Sequence, residues 1–251
     1  MTQGDAGECR ADPTASTTEP ARAEWRLRAL AAALAVIQVV ALAWWLRLEP
    51  VPDTLTSGAW SSLAADAARG IFYRPVDAGG FYGGTRYMPL FFSLQGGLIA
   101  AGLGIVAAGR LLMALSAAVF LSGIFAALRA GGVGRRRALT FAALGAATIA
   151  FQLTSASVRG DLLAAGLGLW GWALARRDGG APLAAVAGFA AGWLTTCAAG
   201  FGLIAAVGYL VRTGGLRPAA RLAAATVGWF AGGIALAWIA SGGRMAETFA
   251  A

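Results

Sequence analysis

The sequence predicts an all-α fold, a polytopic transmembrane helical bundle of about seven spans with a re-entrant or juxtamembrane helix and an amphipathic surface helix. Of the 251 residues, 58% are hydrophobic and only 13% are charged, which is too little charge for the surface of a soluble domain of this size. Apolar runs of roughly 20 residues, enough to cross a bilayer as a helix, alternate with short arginine-bearing breaks. Ala, Leu and Gly dominate these runs, which favours closely packed membrane helices.

The charged residues exclude several classes of function. The net charge is +8, and every basic residue is an arginine. Most arginines sit at the ends of apolar runs, which indicates topology-setting charge with contact to anionic membrane lipids rather than nucleic-acid binding. Histidine is absent, which excludes Ser-His or Cys-His catalysis and His-ligated metal. Cys9 and Cys197 lack metal-ligand spacing. No cofactor is assigned, and a divalent cation is left open.

The sequence predicts a short N-terminal tail followed by one transmembrane domain. Residues 1–24 mix acids, Thr, Pro and Ala without apolar periodicity, so we expect a disordered cytoplasmic tail. Residues 25–251 are expected to form a single transmembrane domain. Arg26 and Arg28 precede an apolar run like that of a signal peptide, but no clear cleavage site follows, so an uncleaved anchor is favoured. This places the N-terminus in the cytoplasm and the chain in the cell inner (plasma) membrane.

The longest non-apolar stretch, residues 47–87, is predicted to be an extracytoplasmic loop. Within 59–69, Trp60, Leu63 and Ala64 recur at helical spacing, as in an amphipathic helix lying on the membrane surface. The paired glycines at 79–80 and 83–84 then break any regular element before a new apolar run begins at Met88.

Arginine placement sets the predicted topology. If residues 89–107 enter and leave the membrane on one side, thirteen of the twenty arginines become cytoplasmic, as the positive-inside rule requires. A full crossing there would invert the rule, so the re-entrant alternative is favoured. The spans are then expected near 28–46, 110–129, 138–156, 161–176, 182–197, 198–212 and 221–240, and the two that meet near residue 197 are short enough to form one broken helix.

This topology gathers the 47–87 loop, the turn 155–161 and the apex 195–197 at one membrane face. Asp161 and Arg159 are the notable charges of the turn, since charge at this depth is costly and usually functional or paired. The simpler alternative is that Asp161 caps the following helix and Arg159 marks the interface. The loop tyrosines likewise have a simpler interpretation, an aromatic belt at the headgroups.

The motifs GIFYRPV, GGFYGGTRYMPLFF and SVRGDLLAAGLGLWGWALARR, separated by an apolar segment and an arginine cluster, resemble the N-terminal half of GT-C membrane glycosyltransferases. Relatives in that class include protein O-mannosyltransferases and bacterial lipid-sugar transferases. The resemblance covers most of residues 28–240, and the chain is similar to a divergent or truncated member of the class. Thr56 and Ser57 stand where the class has an acidic pair, and Thr196 and Cys197 depart from its Leu-Thr-Lys turn.

The resemblance implies transfer of a sugar from a polyprenyl-phosphate donor at the extracytoplasmic face, by a chain that is active or has lost activity. The catalytic acids would be Asp53, Asp66 and Asp161. The ligands of the donor phosphate would be Arg74, Arg86 and Arg159. The side chains that pack on the sugar or lipid would be Tyr73, Tyr82 and Tyr87. A partner chain or a missing C-terminal half could complete it. The alternative is a non-enzymatic polytopic subunit or lipid-binding protein.

Overall fold

The computed structural model describes residues 25–34, 36–37, 40, 55–78, 81–82, 87–178 and 182–250. The predicted tail, much of the predicted first span, and Asp53 and Arg86 lie outside these residues. Residues 25–34 are helical and are called α1. The remaining elements are α2 Leu55–Ala68, β1 Asp77–Ala78, β2 Phe81–Tyr82, α3 Pro89–Ala100, α4 Ile105–Ala130, α5 Arg135–Ala146, α6 Ile149–Ser155, α7 Asp161–Asp178, α8 Leu183–Thr195, a 3-10 turn Cys197–Ala199, α9 Gly200–Gly214, α10 Leu216–Ala240 and α11 Arg244–Ala250.

The all-α class is confirmed, since the two strands are a single antiparallel pair of two-residue segments. Three helical segments of the described chain are long and apolar enough to cross a membrane, namely Ile105–Ala130, Cys197–Gly214 and Leu216–Ala240. Pro89–Ala100 and Leu183–Thr195 are apolar but shorter. The described residues therefore contain three helical segments that could span a membrane, fewer than the seven expected from the sequence.

The centre of the bundle is the packing of α7 along α4. A Cβ at Gly109 would lie 3.0 Å from Val158, just before α7, and one at Gly131 would lie 3.7 Å from Arg176 near the end of α7. The two helices therefore run parallel over most of their length. Glycines permit this approach, because a Cβ at Gly166 would lie 2.7 Å from the Phe120 backbone nitrogen. Small residues bring helix backbones together in this way where apolar side chains gain little by leaving lipid.

The chain between α4 and α7 returns in two pieces. The sequence predicted one span over 138–156, whereas α5 ends at Ala146 and α6 begins at Ile149. Thr148 explains the break, because its hydroxyl accepts a hydrogen bond from the Phe151 amide at 3.2 Å and so caps a new helix.

Helix α8 runs back along α7, with Phe189 beside Gly171 and Thr195 beside Gly160. Thr196 then interrupts the helical path with extended backbone angles, φ −154° and ψ 141°. The apolar run predicted as 182–197 and 198–212 is therefore broken at that residue. Helices α7 to α10 share a core that includes Val186, Leu210 and Leu222.

Helix α3 stays at one end of the bundle. Its 12 residues extend about 18 Å, well short of a bilayer core of about 30 Å. Phe91 lies beside Gly160, and Gln95 Nε2 lies 3.4 Å from the Ile105 carbonyl at the start of α4. Helix α2 packs on α3 and buries Trp60, with the tightest approach at Gly96, where a Cβ would lie 2.8 Å from the Ala64 carbonyl oxygen.

We expect Gly166→Ala to lower the free energy of unfolding by about 1–3 kcal/mol, because the added methyl group would collide with the backbone of α4. Gly168→Ala is the matched control two residues away, since a Cβ there meets nothing within 4 Å. Denaturation of the purified protein in mixed detergent micelles measures both. Equal stability of the two variants would show that the α4–α7 approach is not limited by Gly166.

Candidate functional site

A small polar pocket lies at the end of the bundle where α3 and α7 begin. Its volume is about 100 Å³. The lining comes from α2, the segment before α3, the turn before α7 and the break after α8, and comprises Trp60, Tyr87, Met88, Arg159, Asp161, Thr195 and Thr196. Segments far apart in the sequence thus converge here.

Local structure fixes the turn that carries Arg159 and Asp161. Asp161 is the first residue of α7, where a carboxylate is stabilised by the positive end of the helix dipole. The Arg159 amide donates a hydrogen bond to Met113 Sδ at 3.4 Å, which holds the turn against α4. Gly160 lies between them, and a Cβ at that position would lie 2.9 Å from Thr195. Only glycine therefore lets α8 end against this turn.

Arg159 and Asp161 form an ion pair at the mouth of the pocket. Arg159 Nε lies 3.0 Å from Asp161 Oδ2, and the two side chains are 43% and 48% exposed. Nε is itself buried, and its N–H is not aligned for a hydrogen bond to that oxygen or to any other acceptor among the described residues. A half-exposed pair of this kind contributes little to stability, and both charged groups remain accessible from outside.

Aromatic side chains form one wall of the pocket. The rings of Trp60 and Tyr87 are 4.4 Å apart, and Trp60 meets the Phe91 ring edge-on at 5.1 Å. The Tyr73 hydroxyl donates to the Tyr87 carbonyl at 2.8 Å, which ties the loop after α2 to the start of α3. Tyr73 is buried, and desolvation raises its pKa above the usual range, so it stays a neutral donor.

A large apolar groove adjoins the polar pocket. It has a volume of about 670 Å³ and lies between α4, α7 and α9, with Phe120, Gly168, Leu169, Trp172, Phe201 and Ala205 among its lining residues. Asp161 and Thr196 line both the groove and the pocket. One carboxylate and one hydroxyl therefore stand where a polar space meets an apolar one.

Asp66 and Arg74 form a separate ion pair. Arg74 Nε lies 2.6 Å from Asp66 Oδ2, and Arg74 Nη2 lies 2.9 Å from Oδ1, a bidentate geometry. The Asp66 side chain is only 5% exposed, whereas that of Arg74 is 53% exposed. The hydrogen bond and the attraction to Asp66 raise the pKa of Arg74. Neither residue lines the polar pocket. Because Asp66 lies near the C-terminal end of α2 and Arg74 lies in the loop that follows, the pair anchors this loop to the helix.

Only some of the site residues predicted from the sequence lie together in the structure. Asp161, Arg159 and Tyr87 meet in the polar pocket, whereas Asp66 and Arg74 bind each other and Tyr73 is buried behind Tyr87. Tyr82 lies in β2 with its backbone paired to Asp77; its side chain, Asp53 and Arg86 lie outside what the structure describes.

The sequence did not predict a site role for Trp60, Met88, Thr195 or Thr196. Two adjacent threonines inside an apolar run were the available signal for the last two. Over the described part of the chain, no three Asp, Glu or Cys side chains cluster as metal ligands would.

No family model matches this chain, and neither does any curated protein or solved structure compared with it. Function is therefore inferred from the two cavities and the side chains that line them.

We expect Arg74→Gln to lower the free energy of unfolding by about 1–3 kcal/mol, because it leaves the buried Asp66 carboxylate without its charged partner. The double variant with Asp66→Asn should recover part of that loss. Arg69→Gln, which changes an exposed arginine five residues earlier, should alter the same quantity by less than about 0.5 kcal/mol. If Arg74→Gln matched Arg69→Gln, the pair would have no anchoring role.

Proposed function

We propose that this protein is a membrane glycosyltransferase that transfers a sugar from a polyprenyl-phosphate donor at the extracytoplasmic face. The observation that supports the proposal is the sharing of Asp161 and Thr196 by a polar pocket and an apolar groove. A lipid-linked sugar phosphate has the same two halves, an isoprenoid chain and a polar head. Its reacting bond lies close to the junction of the two.

In this proposal the isoprenoid chain occupies the groove against Phe120, Leu169 and Phe201, where burial of apolar surface supplies binding energy. The phosphate lies in the polar pocket beside Arg159, whose guanidinium can donate two parallel hydrogen bonds to phosphate oxygens. Arg159 would exchange its contact with Asp161 for the phosphate, which frees the carboxylate. Tyr87 offers an aromatic face to the sugar.

The proposed reaction is a single displacement. The acceptor hydroxyl oxygen attacks the anomeric carbon and gives up its proton to the Asp161 carboxylate. The bond between the anomeric carbon and the phosphate oxygen breaks, and its electron pair leaves on the polyprenyl phosphate. Arg159 stabilises the charge that develops on that phosphate. Attack on the face opposite the leaving group inverts the anomeric configuration.

We also propose seven crossings of the cell inner membrane, with the N-terminus in the cytoplasm. Helix α7 lies alongside α4, a candidate span, and α8 lies alongside α7, so packing would carry both through the same bilayer. The return through α5 and α6, together with the predicted span 28–46, α9 and α10, completes the set. Arginines would then gather on the cytoplasmic side and the polar pocket on the outer side, as the positive-inside rule requires.

A lipid-binding subunit without catalytic activity is the second candidate. It is favoured by the existing contact between Arg159 and Asp161, in which each group neutralises the other. Such a protein would hold a polyprenyl phosphate in the same cavities and transfer nothing.

We expect Asp161→Asn to reduce transfer of labelled sugar from a polyprenyl-phosphate donor by about 10²- to 10⁴-fold, because the amide cannot accept the acceptor's proton. Donor binding should persist. Glu247→Gln is the matched control, since Glu247 is an exposed acid in α11 that lines neither cavity. The assay uses membranes that contain the full chain. Donor binding without transfer, in every variant including the wild type, would support the lipid-binding subunit.

We expect Gly168→Leu to weaken donor binding without unfolding the protein. A Cβ at Gly168 enters open space, and this residue lines the groove, so the larger side chain would fill room that the isoprenoid chain needs. The measurement is the dissociation constant of a polyprenyl phosphate, with a short water-soluble sugar phosphate for comparison. Unchanged affinity for the long-chain donor would place the lipid elsewhere.

A further inference from the structure

Nine arginines lie at the end of the bundle opposite the polar pocket, on five different helices. We call this surface the arginine-rich end. Its members are Arg129 of α4, Arg135, Arg136 and Arg137 of α5, Arg176 and Arg177 of α7, Arg212 of α9, and Arg217 and Arg221 of α10.

Contacts between the helices bring these residues together. Arg176 approaches Gly131 after α4, and its guanidinium lies 5.0 Å from the centre of the Tyr209 ring in α9. Arg129 Nη1 donates to the Val133 carbonyl at 2.9 Å, in the turn that leads into α5. Gly214 and Pro218 meet across the turn from α9 to α10. The ends of α4, α7 and α9 and the starts of α5 and α10 therefore share one surface.

This surface has little negative charge of its own. The turns 129–137, 176–178 and 212–221 contain nine arginines and a single acid, Asp178. Eight of the nine arginines are exposed, and Arg176 is half-buried. Arg135, Arg136 and Arg137 occupy the first turn of α5, where the helix dipole disfavours cations. An external anion would offset both sources of repulsion.

Exposed apolar side chains border the arginines. Leu139 is 52% exposed, Val211 is 40% exposed and Leu216 is 74% exposed, each within two residues of an arginine in the sequence. A soluble acidic protein would leave such side chains in water, whereas a lipid has acyl chains directly below its charged headgroup. Charge and apolar surface together fit one class of partner.

We propose that the arginine-rich end binds the phosphodiester headgroups of anionic phospholipids, with the first turn of α5 at its centre. Guanidinium groups suit this role because their planar fork donates two hydrogen bonds to one phosphate. The surface lies apart from the polar pocket, so its ligands are structural lipids of the bilayer and not the substrate of the proposed transfer.

The test is native mass spectrometry of the full chain in a nonionic detergent, titrated with phosphatidylglycerol or with phosphatidylcholine of the same acyl chains. We expect tighter binding of phosphatidylglycerol. The variant Arg135→Gln, Arg136→Gln, Arg137→Gln should lose affinity for it by roughly a hundredfold, at about fivefold per arginine. Arg244→Gln, an exposed arginine in α11, is the matched control and should keep wild-type affinity.

If circular dichroism shows that the triple variant does not fold, Arg136→Gln alone is tested instead. We expect this single variant to lower the affinity for phosphatidylglycerol about fivefold. Equal affinity of the wild-type chain for the two lipids would overturn the proposal. So would an unchanged affinity of the glutamine variants, or full displacement of phosphatidylglycerol by inorganic phosphate at the same concentration, which would identify a simple anion site.

Discussion

The close parallel packing of α4 and α7 is the constraint from which the other features follow. Gly166 lies against the backbone at Phe120, and Gly123 lies against Leu169, so no larger side chain fits at these crossings. Because the two helices run in the same direction, the chain between them must return along the bundle, which α5 and α6 do. The turn 156–160 therefore lies against the N-terminal half of α4, where Met113 Sδ accepts a hydrogen bond from the Arg159 amide. The ion pair Arg159–Asp161 thus owes its position to the backbone contact at Gly166, five residues further along α7.

A second break in regular structure completes the candidate site. Thr196 adopts an extended conformation between α8 and the following 3-10 turn, so the chain changes direction beside Asp161 instead of continuing as one straight helix. Irregular backbone inside a membrane bundle is tolerated where it lines a cavity. Here it lines two, one polar and one apolar.

The two ends of the molecule differ in their chemistry for the same geometrical reason. Parallel α4 and α7 place Arg129 and Arg176 together, and α9 adds Tyr209 and Arg212 beside them. The opposite end receives the paired charges Asp66–Arg74 and Arg159–Asp161. The acids in these two pairs, Asp66 and Asp161, therefore lie away from the arginine-rich end. A surplus of arginines over acids on one side and paired charges on the other is the pattern expected of an oriented membrane protein.

Composition and the lengths of its apolar runs were sufficient to predict the all-α membrane class, because the cost of burying charge in lipid acts on each segment separately. The site was only partly predictable. Arg159 and Asp161 stood out as charges at a helix start, but Asp66 and Arg74 were grouped with them, although they neutralise each other in a separate pair. The predicted topology placed Thr196 and the loop that contains Trp60 at the same membrane face as Asp161, but packing decided that both side chains line one pocket. Their roles depend on contacts between segments distant in sequence, which glycine-mediated helix approach decides and which local patterns do not encode.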